Sequence, residues 1–125
     1  MAGSGIEAKR RKAALKHASE AHWVLTALQH NWRLMSVTRP AARELDPIIA
    51  TALKAVTTLT DTTADHWGAA VLLRSVVEAL DLIAQPGADT SREEAQRALA
   101  RDEAHRAYQE IAANRGANAR DRSLY

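Results

Sequence analysis

Residues 18–35 read ASEAHWVLTALQHNWRLM, and this stretch decides the fold. Ala18, Ala21, Leu25, Leu28, Trp32 and Met35 recur at spacings of 3, 4, 3, 4 and 3, which lays them along one side of an α-helix. A half-buried strand would alternate every second residue, and this stretch does not. Extended backward through the charged residues before it, the pattern predicts a long first helix from Ile6 to Ser36. Arg39-Pro40 then marks a turn.

Working outward, two further seams follow. Leu45, Ile49, Ala52, Val56 and Leu59 define a second helix. It begins at Pro40 or, for its regular part, at Pro47 with Asp46 as N-cap. Ala69, Leu73, Val76, Leu80 and Ile83 define a third, starting near Asp61 or Thr62 and stopped by Gln85-Pro86-Gly87. Thr90 and Ser91, with Glu93 and Glu94 three residues on from each, form a capping-box pattern that opens a fourth. From Arg92 to Asn114 the large apolar residues of that helix are Leu99, Tyr108 and Ile111 alone, and charge pairs such as Glu93–Arg97 lace it. It is expected to dock loosely or to project.

Seams on consecutive helices with short connections imply antiparallel neighbours. The fold class is therefore all-α: an antiparallel helical bundle of about four helices with a long first helix. Residues 1–114 form a single domain, and residues 115–125 are expected to be a mobile tail. Ala21-His22-Trp23 and Asp65-His66-Trp67 echo one another, but two matching residues do not establish a repeat.

The chain has 125 residues, 27 of them alanine, with no Phe and no Cys. Its core must come from Leu, Ile, Val and the tryptophans Trp23, Trp32 and Trp67. Alanine favours helices yet buries little area per residue, so modest stability is expected. The absence of Cys excludes disulfides and Cys-based zinc sites and fits a reducing compartment. No apolar run reaches membrane-span length, so a cytoplasmic protein that does not engage membranes is expected.

Chemistry is sparse. The histidines are His17, His22, His30, His66 and His105, and they show neither the Glu-x-x-His pairs of four-helix metal sites nor a His-Glu-x-x-His motif. No metal and no cofactor are expected. No Ser lies in a glycine-flanked elbow, and no Gly-rich phosphate loop is present. Arg11 and His17 fit the Arg-x(4–6)-His spacing of small helical HEPN-type RNases, though the element is short and Lys12 stands where a polar residue is favoured. The expectation is that the chain is not an enzyme.

Charge is more informative. Residues 1–43 carry eight Lys/Arg against two Glu, residues 44–91 two against seven acids, and residues 92–125 seven Arg against six acids, for a net +2. At 100° per residue, Lys9, Lys12 and Lys16 fall almost opposite the first seam, in line with Trp23 and His30, and Arg10 and Arg11 flank them. Such Lys/Arg clusters bind phosphate backbones. Arg33, Arg39 and Arg43 are secondary candidates. Off-seam Trp23 and Trp67 are candidates for base stacking or for an interface. The structural alternative buries Trp23 beside Leu34 and leaves the lysines as a solvated face.

The four-helix pattern over residues 6–114, the Lys9–Lys16 cluster, the basic–acidic split and the missing active site together resemble the small helical subunits of multi-subunit CRISPR effector complexes. No motif carries the likeness, which is at the level of architecture. It implies a non-catalytic subunit of a ribonucleoprotein assembly that contacts nucleic-acid backbone, with RNA favoured over DNA, alongside other protein subunits and copies of itself. The alternatives are a protein-only adaptor or homo-oligomer, in which Asp61, Asp65, Glu78 and Asp81 of one copy meet the basic helix of the next, and an HEPN-like RNase.

Overall fold

The computed structural model describes residues 2–34, 40–62, 66–83 and 91–123, with side chains described over 8–34, 43–62, 66–83 and 92–113. Four helices account for nearly all of this: α1 (Ala2–Leu34), α2 (Pro40–Thr60), α3 (His66–Leu82) and α4 (Ser91–Ser123). Each helix packs against its two neighbours in a closed ring of four, with α1 between α2 and α4. Arg11 near the start of α1 meets Leu59 at the end of α2, whereas Gln29 near the end of α1 meets Asp46 near the start of α2. Arg10 meets Glu110 and Trp32 meets Glu93, so α4 also runs antiparallel to α1. The fold is an all-α antiparallel bundle.

The α1 seam lies in the core as the spacing predicts: Ala18, Ala21, Leu25 and Leu28 are fully buried and Trp32 is 2% exposed. Met35 lies outside the described residues. The α3 seam from Ala69 to Leu80 is likewise buried, with Ile83 packed at its edge.

Two corrections, and the resolution of one open alternative, concern the other segments. First, α2 is regular from Pro40, so Pro47 is inside it and Asp46 is not its N-cap. Instead Asp46 accepts a hydrogen bond from Gln29 Nε2 at 2.6 Å and an ion pair from Arg33 at 3.3 Å. The α2 seam is rotated from the expected one: Leu45, Ile48, Ala52, Ala55 and Leu59 are buried, and Ile49 and Val56 are half-buried. Second, Asp61 and Thr62 precede α3, which starts at His66; the His66 ring donates to the Asp61 carbonyl at 3.1 Å. Asp65 and Thr90 lie outside the described residues.

Third, α4 docks rather than projects. Its inward face is made of alanine: Ala100, Ala104 and Ala107 have no exposed surface, and Ile111 closes the line. Alanine without larger apolar residues beside it does not mark a seam in a sequence, because it also populates exposed helix positions. The helix continues to Ser123, past the Asn114 at which the apolar pattern ends.

Candidate nucleic-acid interface

The outward face of α1 is assembled by helix geometry. Because one side of the helix from Ala14 to Trp32 is buried, the residues opposite it must face solvent. Lys9, Lys12, Lys16, Trp23 and His30 are all exposed there. Trp23 is 69% exposed and Leu34, eleven residues on, is 71% exposed, so the two do not pack inside together. Ser19, Glu20 and Thr26 fill the rest of the stripe, and Glu20 is the carboxylate among them. Thr26 turns its hydroxyl to the His22 carbonyl at 2.9 Å.

The cations divide into two groups. Lys9, Lys12, Lys16 and Arg43 are exposed and make no ion pair among the described residues. The others are held by the fold. Arg10 pairs with Glu110 at 3.6 Å. Arg11 Nη1 donates to the Leu59 carbonyl at 2.9 Å. That carbonyl belongs to the last turn of α2, where no helical N–H remains to satisfy it, so Arg11 acts as a side-chain cap between two helices. Arg33 pairs with Asp46. Arg39 lies outside the described residues.

Along the edge where α1 meets α4 runs a polar ladder. Trp32 Nε1 donates to Glu93 Oε2 at 3.0 Å, and Asn31 Nδ2 to Gln96 Oε1 at 3.2 Å. His17 Nδ1 lies 2.5 Å from Glu103 Oε2, and Arg106 reaches the other oxygen of Glu103 at 3.2 Å. Glu93 and Glu103 are buried, so each carboxylate needs its donors. This places the two residues of the RNase-like spacing: Arg11 is held by α2 and His17 by α4.

Three more acids of the middle segment, all among the described residues, also have partners. Glu78 pairs with Arg74 at 3.2 Å, Asp81 with Arg101 at 2.7 Å, and Asp61 has a partner of its own. The Arg101 pKa is raised by its hydrogen bond to Asp81 and by the charge of that carboxylate. Trp67 is half-buried and packs against the core, unlike Trp23.

A second surface feature lies between α2 and α3. A groove of about 290 Å³ is lined mainly by apolar atoms, with Ile48, Val76, Ala79 and Leu82 among its walls and Glu44 as its acid. Leu82 is 86% exposed. Among the described residues, no group of three or more His, Asp or Glu is placed to hold a metal ion, and no helix is long and apolar enough to cross a membrane.

Sequence reasoning missed the α1–α4 ladder. Its rungs join residues up to 86 positions apart, as His17 to Glu103, and no local pattern links them. The one usable signal was a seam tryptophan, Trp32, whose indole N–H requires an acceptor once buried. Comparison of the chain with protein-family models, with curated proteins and with solved structures finds no match.

Proposed function

We propose that the protein is a non-catalytic, nucleic-acid-backbone-binding helical subunit of a larger ribonucleoprotein assembly, of the kind to which the small subunits of CRISPR effector complexes belong. One observation carries the reading: three lysines stand exposed on one helix face with no ion-pair partner among the described residues. A lysine gains little from folding in that position, whereas a row of them neutralises phosphates and releases counterions. Contacts of this type are blind to sequence and sensitive to salt. The roles of Arg10, Arg11 and Arg33 narrow accordingly. They brace the helices, while Lys9, Lys12 and Lys16, with Arg43 as an outlying candidate, meet phosphate.

The rival reading is a protein-only homo-oligomer held by acid–base contacts between copies. It is weakened because Asp61, Glu78 and Asp81 already have partners within the chain. An HEPN-like RNase would need Arg11 and His17 at one scissile phosphate, and each has a structural partner elsewhere.

The test is the triple substitution Lys9→Ala, Lys12→Ala, Lys16→Ala. The variant should fold, since exposed helix substitutions change stability by about 0.5 kcal/mol or less each. It should lose the copurifying nucleic acid seen as a raised 260/280 absorbance ratio, with its oligomeric state unchanged. Loss of self-association with nucleic-acid binding retained would replace this reading with the rival.

A further inference from the structure

Trp23 is where the α1 face departs from a plain phosphate-binding surface. Burying an indole is among the largest apolar gains open to a small protein. This chain makes that gain with Trp32 and partly with Trp67, yet leaves Trp23 69% exposed on its longest described lysine-bearing face. The surroundings of the ring are polar or small. Between Lys9 and His30, the described face adds only Ser19, Glu20, Thr26 and Ala27, and among the described residues no second large apolar side chain is exposed on α1 before Leu34. Interface tryptophans sit in apolar patches rimmed by polar residues. Trp23 has the reverse setting, an isolated aromatic in a polar, cationic line.

Distance along the helix makes this specific. At about 1.5 Å per residue, Lys9 to Lys16 spans about 10.5 Å and Lys16 to Trp23 about the same again. Phosphates held by the lysines therefore continue onto the indole within roughly six stacked nucleotides, at about 3.4 Å each, and within fewer when the strand is extended. In a duplex the bases are stacked on one another, and a side chain that follows the backbone meets sugar and phosphate. A single strand can turn a base out onto an aromatic face.

We infer that the α1 face binds single-stranded nucleic acid, with Lys9, Lys12 and Lys16 on consecutive phosphates and a base stacked on Trp23. The inference rests on the phosphate-binding reading of the lysines and adds to it the strandedness of the ligand. The base is read by its π-face, so DNA and RNA strands are both substrates and base identity matters little. Glu20, one turn before Trp23, is the carboxylate that opposes the passing backbone. Its replacement by Gln should tighten binding.

The experiment uses fluorescein-labelled 12-nucleotide oligo(dT) and oligo(U), and a 12-base-pair duplex, followed by anisotropy at low salt with the full chain. Both single strands should bind more tightly than the duplex. Trp23→Ala should weaken single-strand binding about tenfold and leave duplex binding unchanged, while Trp23→Phe keeps most of the affinity. Oligo(dT) should quench the indole fluorescence of the wild-type chain, and the quench should vanish in Trp23→Phe although binding persists. Failure of the wild-type chain to bind any probe removes the lysine reading and this inference together. Binding without strand preference, or unchanged by Trp23→Ala, removes this inference alone. A Trp23→Ala variant that changes sedimentation but not single-strand affinity also overturns it, assigning the ring to a contact between copies.

Discussion

At the scale of single residues, Trp32 and Glu93 show how a buried polar pair is held. The ring fills the core and its N–H meets a carboxylate that is itself buried. Trp32→Phe keeps most of the apolar volume but withdraws that donor from Glu93. The expected cost is about 1–3 kcal/mol, the range for depriving a buried polar group of a hydrogen bond, with a smaller packing loss added. Urea denaturation of the variant measures it, and a loss below the uncertainty of the method would show that the indole bond contributes nothing. Arg101 is a different case. Its folded pKa is raised by Asp81, so its contribution is fully present below the ordinary guanidinium value and is lost only as pH rises through the still higher folded one. At ordinary pH its guanidinium stays charged. Trp32 was legible as a seam residue, but its acid partner, 61 positions away, was not.

At the scale of elements, legibility followed side-chain size. The α1 and α3 seams carry, beside their alanines, Leu, Val and Trp, which mark a face unambiguously, and their residues from Ala18 to Trp32 and from Ala69 to Leu80 are buried as read. The α4 seam is written in Ala100, Ala104 and Ala107, which mark nothing until a neighbour is seen to cover them. Pro47 misled for a physical reason: proline is common in the first helical turn and rare in the interior. Here it is exposed within α2 and removes the N–H that would have bonded the Arg43 carbonyl. Thr51, Thr57, Thr58 and Thr60 further load this helix by donating to carbonyls four residues back, as Thr51 does to Pro47 at 2.8 Å. Pro47→Ala should therefore stabilise the bundle, by about 1–3 kcal/mol, because it restores a helical hydrogen bond without touching the core. A rise in thermal midpoint checks this, and a fall would show that the proline fixes a bend the packing requires.

At the scale of the whole molecule, the split of charge along the sequence overstates the polarity of the fold. Asp46 and Asp81 of the acidic middle are paired by Arg33 and Arg101 from outside it, and Glu78 by Arg74 within it. Among the described residues, the α1 face keeps Lys9, Lys12 and Lys16 exposed with no ion pair. The exposed lysine face was legible from helical angles alone, whereas the internal use of Arg10 and Arg11 required the neighbouring helices. The expected salt response follows from the three free lysines of the α1 face. Three phosphate contacts on a single strand give a slope of log K against log salt of about −2. The Lys9, Lys12, Lys16 triple alanine variant should flatten it to near zero. A wild-type slope of about −3.5 or steeper would bring Arg10 and Arg11 back among the phosphate contacts.

The ladder between α1 and α4 also settles an ambiguity that alanine packing leaves open. Two helices that meet through small, similar side chains can slide past each other by a turn, about 5.4 Å, and find nearly the same fit. The polar rungs do not repeat in that way. A one-turn slip would carry Glu93 from the Trp32 indole and Glu103 from His17, taking from each buried carboxylate its donor on α1. The alanines thus supply closeness and the rungs supply alignment, like the notches of a key cut into an otherwise smooth blade. Because α1 and α4 lie far apart in sequence, that alignment fixes the closing edge of the ring and, with it, the direction in which the lysine face points.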